Sequence, residues 1–191
     1  MRKRLHIAGA LAAALIPTTG LLAQAPTCQF RGTADALAER PSPLDSVRVS
    51  LGGTDGKLCY GRPTVRGRAM IGGQFPYGTP WEMGANEPTT LHLPFAARVG
   101  TIDLAPGAYS LYAIPGEGDW TIVVNGNPDR WGVPISAAVR AADLGSFAVT
   151  PQVRTQQVET LTFSFRPSGA DGGLLVYEWE RLTFSIPITL R

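Results

Sequence analysis

Short runs of alternating apolar and polar residues follow one another along the chain from residue 47 onward. Alternation with a period of two is typical of a β-strand that has one buried face and one wet face. The run 120–124 is largely apolar on both faces, which predicts a central strand. The predicted strands are 47–51, 58–60, 91–95, 99–104, 109–113, 120–124, 161–165, 174–180 and 182–190.

Glycine, proline and short polar stretches separate these runs. The sequence Thr-Asp-Gly-Lys at 54–57 predicts a hairpin turn, because Asp-Gly readily adopts positive φ. Pro-Gly at 106–107 predicts a type II turn, and the segment 161–190 predicts a meander of three strands. Helical character is confined to 33–40 and 136–142.

About nine strands without helical crossovers predict an all-β fold, a single antiparallel β-sandwich domain of about nine to ten strands. A closed barrel is the alternative, because both architectures direct alternate residues into one core. We assign residues 41–191 to this domain and residues 26–40 to an N-terminal extension.

The first 25 residues have the features of a cleavable signal peptide. A basic cluster at 2–4 precedes an apolar run at 7–16, and Ala-Gln-Ala at 23–25 suits a signal peptidase. The apolar run is too short to span a bilayer, so we predict no transmembrane segment. The protein is therefore expected to be exported, to the periplasm or the extracellular space.

Charge and cysteine content refine this picture. Without the three basic residues at 2–4, the net charge of +2 falls to −1, which argues against nucleic acid as a partner. Cys28 and Cys59 are predicted to form a disulfide, as an oxidising compartment allows, and two separate thiols are the alternative.

The segment 61–90 breaks the alternating pattern, being rich in glycine, proline, arginine and aromatic residues. Long irregular loops are more often functional than short ones, so a ligand site is predicted in the loop cluster 62–90. The candidate ligand-binding residues are Arg62, Arg66, Arg68, Tyr77, Trp81, Glu82, Asn86, Glu87, Thr89 and Thr90.

Aromatic and polar side chains of this segment suit recognition of a small molecule, a glycan or a peptide. Tyr77 and Trp81 are candidates to stack on a sugar ring or a peptide aromatic, with Asn86, Thr89 and Arg68 hydrogen bonding around it. The alternative is a satellite core under a long loop. A binding module or a structural envelope module is therefore predicted, and its protein partners are unknown.

A hydrolase of a glycan or ester that uses Glu82 or Glu87 is the alternative function, because paired carboxylates perform acid/base hydrolysis. Ion pairing, such as Glu82 with Arg66, would instead fix the loop. His92 is the only histidine after the signal, and no Gly-x-Ser-x-Gly motif occurs. We predict no metal site and no cofactor.

Several motifs follow one another in a fixed order between residues 60 and 117. They are Tyr-Gly-Arg-Pro-Thr-Val-Arg-Gly-Arg at 60–68, Pro-Tyr-Gly at 76–78, Trp81, Gly-Ala-Asn-Glu at 84–87, Pro-Gly-Ala-Tyr-Ser-Leu at 106–111 and Ile-Pro-Gly-Glu at 114–117. In this order they resemble the bacterial family of unknown function 2911. The resemblance implies an exported β-rich domain from about residue 41 to the C-terminus. It implies no activity, and Glu82 stands where the family often has a basic residue.

Overall fold

The computed structural model describes residues 27–191, which fold into two antiparallel β-sheets. The six-stranded sheet contains β1 (Leu44–Leu51), β2 (Thr54–Gly61), β3 (Thr89–Leu93), β6 (Gly107–Ile114), β7 (Trp120–Asn125) and β8 (Asp143–Val149), in that order. The four-stranded sheet contains β4 (Ala97–Val99), β5 (Ile102–Leu104), β9 (Gln152–Pro167) and β10 (Gly172–Leu190), in the order β5-β4-β10-β9. The predicted signal peptide lies outside the described residues.

The inner faces of the two sheets share one apolar core, so the predicted sandwich is confirmed and the barrel alternative is wrong. The six-stranded sheet contributes inward residues such as Leu58, Leu91 and Leu111, each 0% exposed. The four-stranded sheet contributes Leu175 and Ile186, which are equally buried. Alternate residues of the six-stranded sheet point to its outer face, where the polar positions gather.

The first hairpin turns earlier than the sequence predicts. Gly52 and Gly53 occupy the turn with φ of 55° and 76°, and Leu51 pairs with Thr54. Positive φ at both central residues is what a type I′ turn requires, and two glycines adopt it without strain. The predicted turn at 54–57 is therefore wrong, and Asp55-Gly56 lies within β2.

The C-terminal third is a long hairpin and not the predicted three-strand meander. β10 runs without a turn from Gly172 to Leu190, because no glycine, proline or asparagine interrupts it near residue 181. The register shifts on either side of Glu180, whose φ is 52°, so a bulge replaces the expected turn. At the predicted type II turn, Gly107 begins β6 and lacks the positive φ required.

Two short helices occur where helical character was predicted. The α1 helix (Ala34–Ala38) begins after Thr33, whose side chain accepts a hydrogen bond from the Ala36 amide. The α2 helix (Ala137–Arg140) has the same arrangement, with Ser136 accepting from the Val139 amide. Neither of these helices is long or apolar enough to cross a membrane.

The N-terminal extension packs against the outer face of the six-stranded sheet, where it is covalently fixed. The predicted disulfide is confirmed between Cys28 and Cys59 of β2, with the Cα atoms 5.6 Å apart. α1 buries none of its residues. We call residues 28–40 the strap, since covalent and polar contacts hold it on the sheet.

Candidate functional site

One row of directly opposed residues crosses the outer face of the six-stranded sheet. Strand pairing places one residue of each strand in this row. In sheet order the members are Ser46, Cys59, Thr90, Ser110, Asn125 and Asp143. Apart from the disulfide-bonded cysteine, every member is polar, although Ser110 and Asn125 are each 0% exposed. The buried polar groups of this row require hydrogen-bond partners for every donor and acceptor.

Hydrogen bonds connect the far end of this row to α2. The Asn125 side-chain amide donates to the Val139 carbonyl and to Asp143 Oδ1, each at 2.7 Å. Tyr112, also on the outer face, donates from its hydroxyl to Asp143 Oδ2 at 2.7 Å. Burial, followed by this contact with Asp143, raises the pKa of Tyr112 to about 12. The phenol therefore stays protonated and acts as a hydrogen-bond donor.

Residues 82–88 form a loop that leaves the sheet plane and returns to it. Before the loop, the Trp81 amide and carbonyl bond to Ala113 of β6, both at 2.8 Å. After the loop, Thr89 pairs with Leu111, only two residues from Ala113 along β6. The left-handed residues Met83 (φ 57°) and Asn86 (φ 70°) make the sharp bends in this loop. The loop carries Glu82 and Glu87 to the outer face.

Glu82 is enclosed beneath the segment that follows β7. It is 4% exposed, and its Oε2 has no hydrogen-bond partner among the described residues. A Cβ on Gly132 would lie 2.9 Å from Glu82 Cγ and 2.6 Å from the Asn86 carbonyl, so only glycine fits there. Burial, only partly offset by hydrogen bonding to its own backbone and by nearby Arg130, raises the pKa of Glu82 to about 7.

Glu87 has opposite surroundings, because the strap supplies it with donors. Arg40 Nη1 donates to its Oε2 at 2.5 Å, and the Arg31 amide donates to its Oε1 at 2.7 Å. Burial would raise the pKa of Glu87, but the Arg40 and Arg31 hydrogen bonds outweigh it and lower that pKa. Glu87 is therefore an ionised anchor for the strap.

A cavity of about 270 Å³ lies between the strap and the outer face of the sheet. Its apolar lining comes from Phe30, Leu44, Pro88, Ala108 and Pro128. Its polar lining comes from Gln29, Arg31, Glu87, Thr90, His92, Asp129 and Arg130. The cavity thus combines an apolar interior with a few placed polar groups, as small-molecule sites do.

Two polar side chains of β3 contribute to this cavity. Thr90 Oγ1 lies 3.3 Å from His92 Nε2, which is hydrogen-bonding distance. Burial, with a smaller contribution from Lys57, lowers the pKa of His92. His92 therefore faces the cavity as a neutral imidazole that can donate or accept one hydrogen bond.

Aromatic residues of the predicted site are separated by the structure. Trp81 is 1% exposed and stacks on Phe75 at 4.6 Å and on Trp179 at 5.5 Å between ring centroids. Its indole N–H donates to the Gly84 carbonyl at 3.1 Å. Tyr77 is 46% exposed, and its ring lies over Gly72. The stacking partners of Trp81 are thus other side chains of the core.

Three arginines of the predicted site lie toward β9, away from the cavity lining. Arg62 donates to the Leu161 carbonyl and pairs with Asp45, each at 3.1 Å. The Arg66 amide donates to a Glu159 carboxylate oxygen at 2.8 Å. Arg68 donates to two backbone carbonyls of its own loop. The contacts with Leu161 and Glu159 fix the loop to β9 of the four-stranded sheet, and Arg66 does not pair with Glu82.

The remaining predicted residues brace the loop 82–88. Asn86 donates to the Ser42 carbonyl at 3.3 Å, and the fully buried Thr89 donates to the Met83 carbonyl at 3.1 Å. Of the ten predicted residues, Glu87 and Thr90 line the cavity. Within residues 27–191, no three His, Cys, Asp or Glu side chains cluster as metal ligands.

Sequence reasoning missed Arg130, Ser110, Tyr112 and Asn125 as members of one site. The signal for the strand residues is a period of two, since Ser110 and Tyr112 alternate with the core residues Leu111 and Ala113, whereas Arg130 lies outside the strands and has no such pattern. The register between strands brings them together, and that register depends on turns spread along the chain.

Comparison with known proteins agrees with the motifs read from the sequence. Residues 42–188 match the family described as "Protein of unknown function (DUF2911)". Neither a curated protein nor a solved structure matches the chain. The strap therefore lies outside the matched region, while the polar row, the loop 82–88 and Arg130 lie inside it. Because the match covers most of its length, the chain belongs to the DUF2911 family of proteins of unknown function.

Proposed function

We propose that this protein is a ligand-binding module whose site is the cavity under the strap. The observation that carries the proposal is the cavity itself, which joins apolar walls to Thr90 and His92 of β3 and to Arg130 of the segment after β7. Rigid scaffolds with few convergent polar groups are typical of small-molecule sites. The proposed site differs from the predicted loop cluster 62–90. It comprises Glu87, Thr90 and their neighbours on β3 and β6.

Export to the periplasm or the extracellular space belongs to the same proposal. The Cys28–Cys59 disulfide supports it, because such bonds persist in oxidising compartments. The disulfide also holds one wall of the cavity, since Gln29, Phe30 and Arg31 follow Cys28 directly. The compartment and the proposed site thus depend on the same bond.

Hydrolysis of a glycan or ester is the second candidate function. The opposite pKa shifts of Glu82 and Glu87 favour it, since an acid and a base in one site have separated pKa values. Two observations weigh against it. Glu82 does not line the cavity, and Glu87 already accepts donors from Arg31 and Arg40. Binding is therefore the better supported function.

A thermal-shift screen of the purified, disulfide-bonded protein tests the proposal. The probes are small organic acids, amides, monosaccharides and dipeptides. A compound at 100 times its dissociation constant adds about 2.7 kcal/mol, which raises the unfolding midpoint by several degrees. Ala108→Phe, which fills the cavity, is expected to abolish the shift, while Ala170→Phe in the exposed β9–β10 turn retains it.

The absence of any shift across these probes would count against a small-molecule site and favour a structural envelope role. A shift that persists in Ala108→Phe would move the binding site elsewhere. Turnover of a glycan or ester probe that is lost in Glu82→Gln or Glu87→Gln would favour the hydrolase. Each result therefore selects one of the three functions.

A further inference from the structure

Charged side chains at the cavity are balanced except for one cation. Arg31 Nη2 lies 2.8 Å from Asp129 Oδ1, and Arg40 pairs with Glu87 at 2.5 Å. Arg130 also lines the cavity, but it forms no ion pair with any carboxylate of residues 27–191. It is only 9% exposed. Burying a cation without a counter-ion costs free energy, so binding of an anion at this position is favourable.

The hydrogen bonds of Arg130 leave two of its five N–H donors without a partner in the described chain. Nη1 donates to the carbonyls of Trp131 at 3.0 Å and Gly132 at 2.6 Å. Nη2 donates to Ser110 Oγ at 3.4 Å, and Nε has no partner in the described chain. A guanidinium group has five N–H donors, so Nε and Nη2 each retain one, and the Nε atom is itself buried. A carboxylate forms charge-assisted hydrogen bonds with donors of this kind.

Neighbouring acids of the chain do not supply that carboxylate. The two oxygens of Asp143 accept from Tyr112 and Asn125. Glu82 acts on Arg130 through its charge but does not form an ion pair with it. Because burial raises the pKa of Glu82 to about 7, this group is largely protonated in mildly acidic solution. Arg130 then has no ion pair in the described chain, although the charge of Asp143 also acts on it.

We infer that the cavity takes a small, mostly apolar ligand with one carboxylate, which binds the guanidinium group of Arg130. The inference rests on the proposed binding function and names its ligand class. The cavity of about 270 Å³ has room for about nine water-sized volumes, which suits a molecule as large as benzoate. Phe30, Leu44 and Ala108 contact the apolar body, while burial lowers the pKa of His92 and so disfavours a second positive charge.

Calorimetric titration with matched acid and amide pairs tests this ligand class. The pairs are benzoate with benzamide, hexanoate with hexanamide, and N-acetylphenylalanine with its amide, all at pH 6. Each acid of a preferred type is expected to bind at least tenfold more tightly than its amide. Preference for the third pair alone would identify peptide C-termini as the source of the carboxylate, and preference for the first two would identify free acids.

Variants of Arg130 separate charge from geometry. Arg130→Gln is expected to remove the acid preference, while Arg130→Lys keeps a reduced preference because an ammonium keeps the charge but not the planar donor geometry of the guanidinium. Arg98→Gln is the matched control, since Arg98 is an exposed arginine that pairs with Asp103 far from the cavity lining. This control is expected to leave the preference unchanged.

A second measurement serves if the Arg130 variants do not fold. Above pH 7, ionised Glu82 repels a bound carboxylate, so Glu82→Gln is expected to strengthen benzoate binding several-fold at pH 8 but not at pH 6. Equal affinity for acids and amides, or no effect of Glu82→Gln at either pH, would overturn the inference while the binding function stands. No binding of acids or amides, together with no hit in the thermal screen, would overturn both.

Discussion

Burial of Glu82 makes the stability of the protein depend on pH near neutrality. The folded protein holds this proton with a pKa of about 7, against the ordinary value of 4.5 in an unfolded chain. The folded state therefore binds more protons than the unfolded state between these values, and stability falls as pH rises through them. The stabilisation that protonated Glu82 provides is fully present below pH 4.5 and lost above about pH 7.

Glu82→Gln removes this dependence, because glutamine does not titrate. The free energy of unfolding of the wild type is expected to fall, relative to the variant, by about 2 to 3 kcal/mol between pH 5 and pH 8. Urea unfolding of both proteins at the two pH values measures this difference. Glu117→Gln, at an exposed loop position, is the control. A wild-type-minus-variant difference that is equal at both pH values would contradict the prediction.

At the scale of structural elements, the strap is fixed to the six-stranded sheet. Beyond the disulfide, the strap is held chiefly by Glu87, because α1 buries no side chain. Glu87→Gln removes the ionised acceptor. Arg40, which is nearly buried, then has no counter-ion. The cost is expected to be about 2 kcal/mol or more, confined to the strap.

Hydrogen exchange of the amides in residues 29–40 measures this local effect. Exchange is expected to accelerate more than tenfold in Glu87→Gln. Asp103→Asn is the matched control, since it breaks the exposed pairs with Arg98 and Arg191 and should change stability by less than about 1 kcal/mol. Unchanged exchange in Glu87→Gln would show that the disulfide alone holds the strap.

Element existence could be predicted from the sequence, while connections and register could not. Alternation identified β1, β3, β6 and β7, because each places every second residue in the core. The hairpin position depended on a choice between Gly52-Gly53 and Asp55-Gly56, both plausible turns. β8 escaped notice because Gly145 and Ser146 weaken its apolar pattern.

The site was predictable only in part, for the same physical reason. Local motifs drew attention to Glu87 and Thr90, which do line the cavity. Most of the other cavity residues come from the strap, from β1, β2 and β6, and from the segment after β7, and only the folded sheet brings them together. Trp81 illustrates the reverse case, because an aromatic residue in a loop rich in glycine has the same local pattern whether it faces solvent or core.

Trp81 links an irregular loop to the core of the whole molecule. Its ring packs between the loop aromatic Phe75 and Trp179 of β10, so it joins the loop 62–90 to the core of the sandwich. Trp81→Ala is expected to cost about 3 to 5 kcal/mol, the usual range for a buried tryptophan. Tyr77→Ala, at a half-exposed ring of the same loop, is expected to cost about 1 kcal/mol or less.

Urea unfolding followed by tryptophan fluorescence and by circular dichroism measures both variants. The two probes should report one cooperative transition, because one apolar core connects the sheets. Similar costs for Trp81→Ala and Tyr77→Ala would contradict the core assignment of Trp81.

The position of the Cys28–Cys59 disulfide also determines how the molecule carries tension. A pull between the N-terminal end of the strap and Arg191 enters the fold at Cys59 in β2, because the covalent bond bypasses residues 29–58. β1, an edge strand, lies within the bypassed segment and bears no load. Reduction would place the 31-residue interval in the line of force and add about 100 Å of extensible chain.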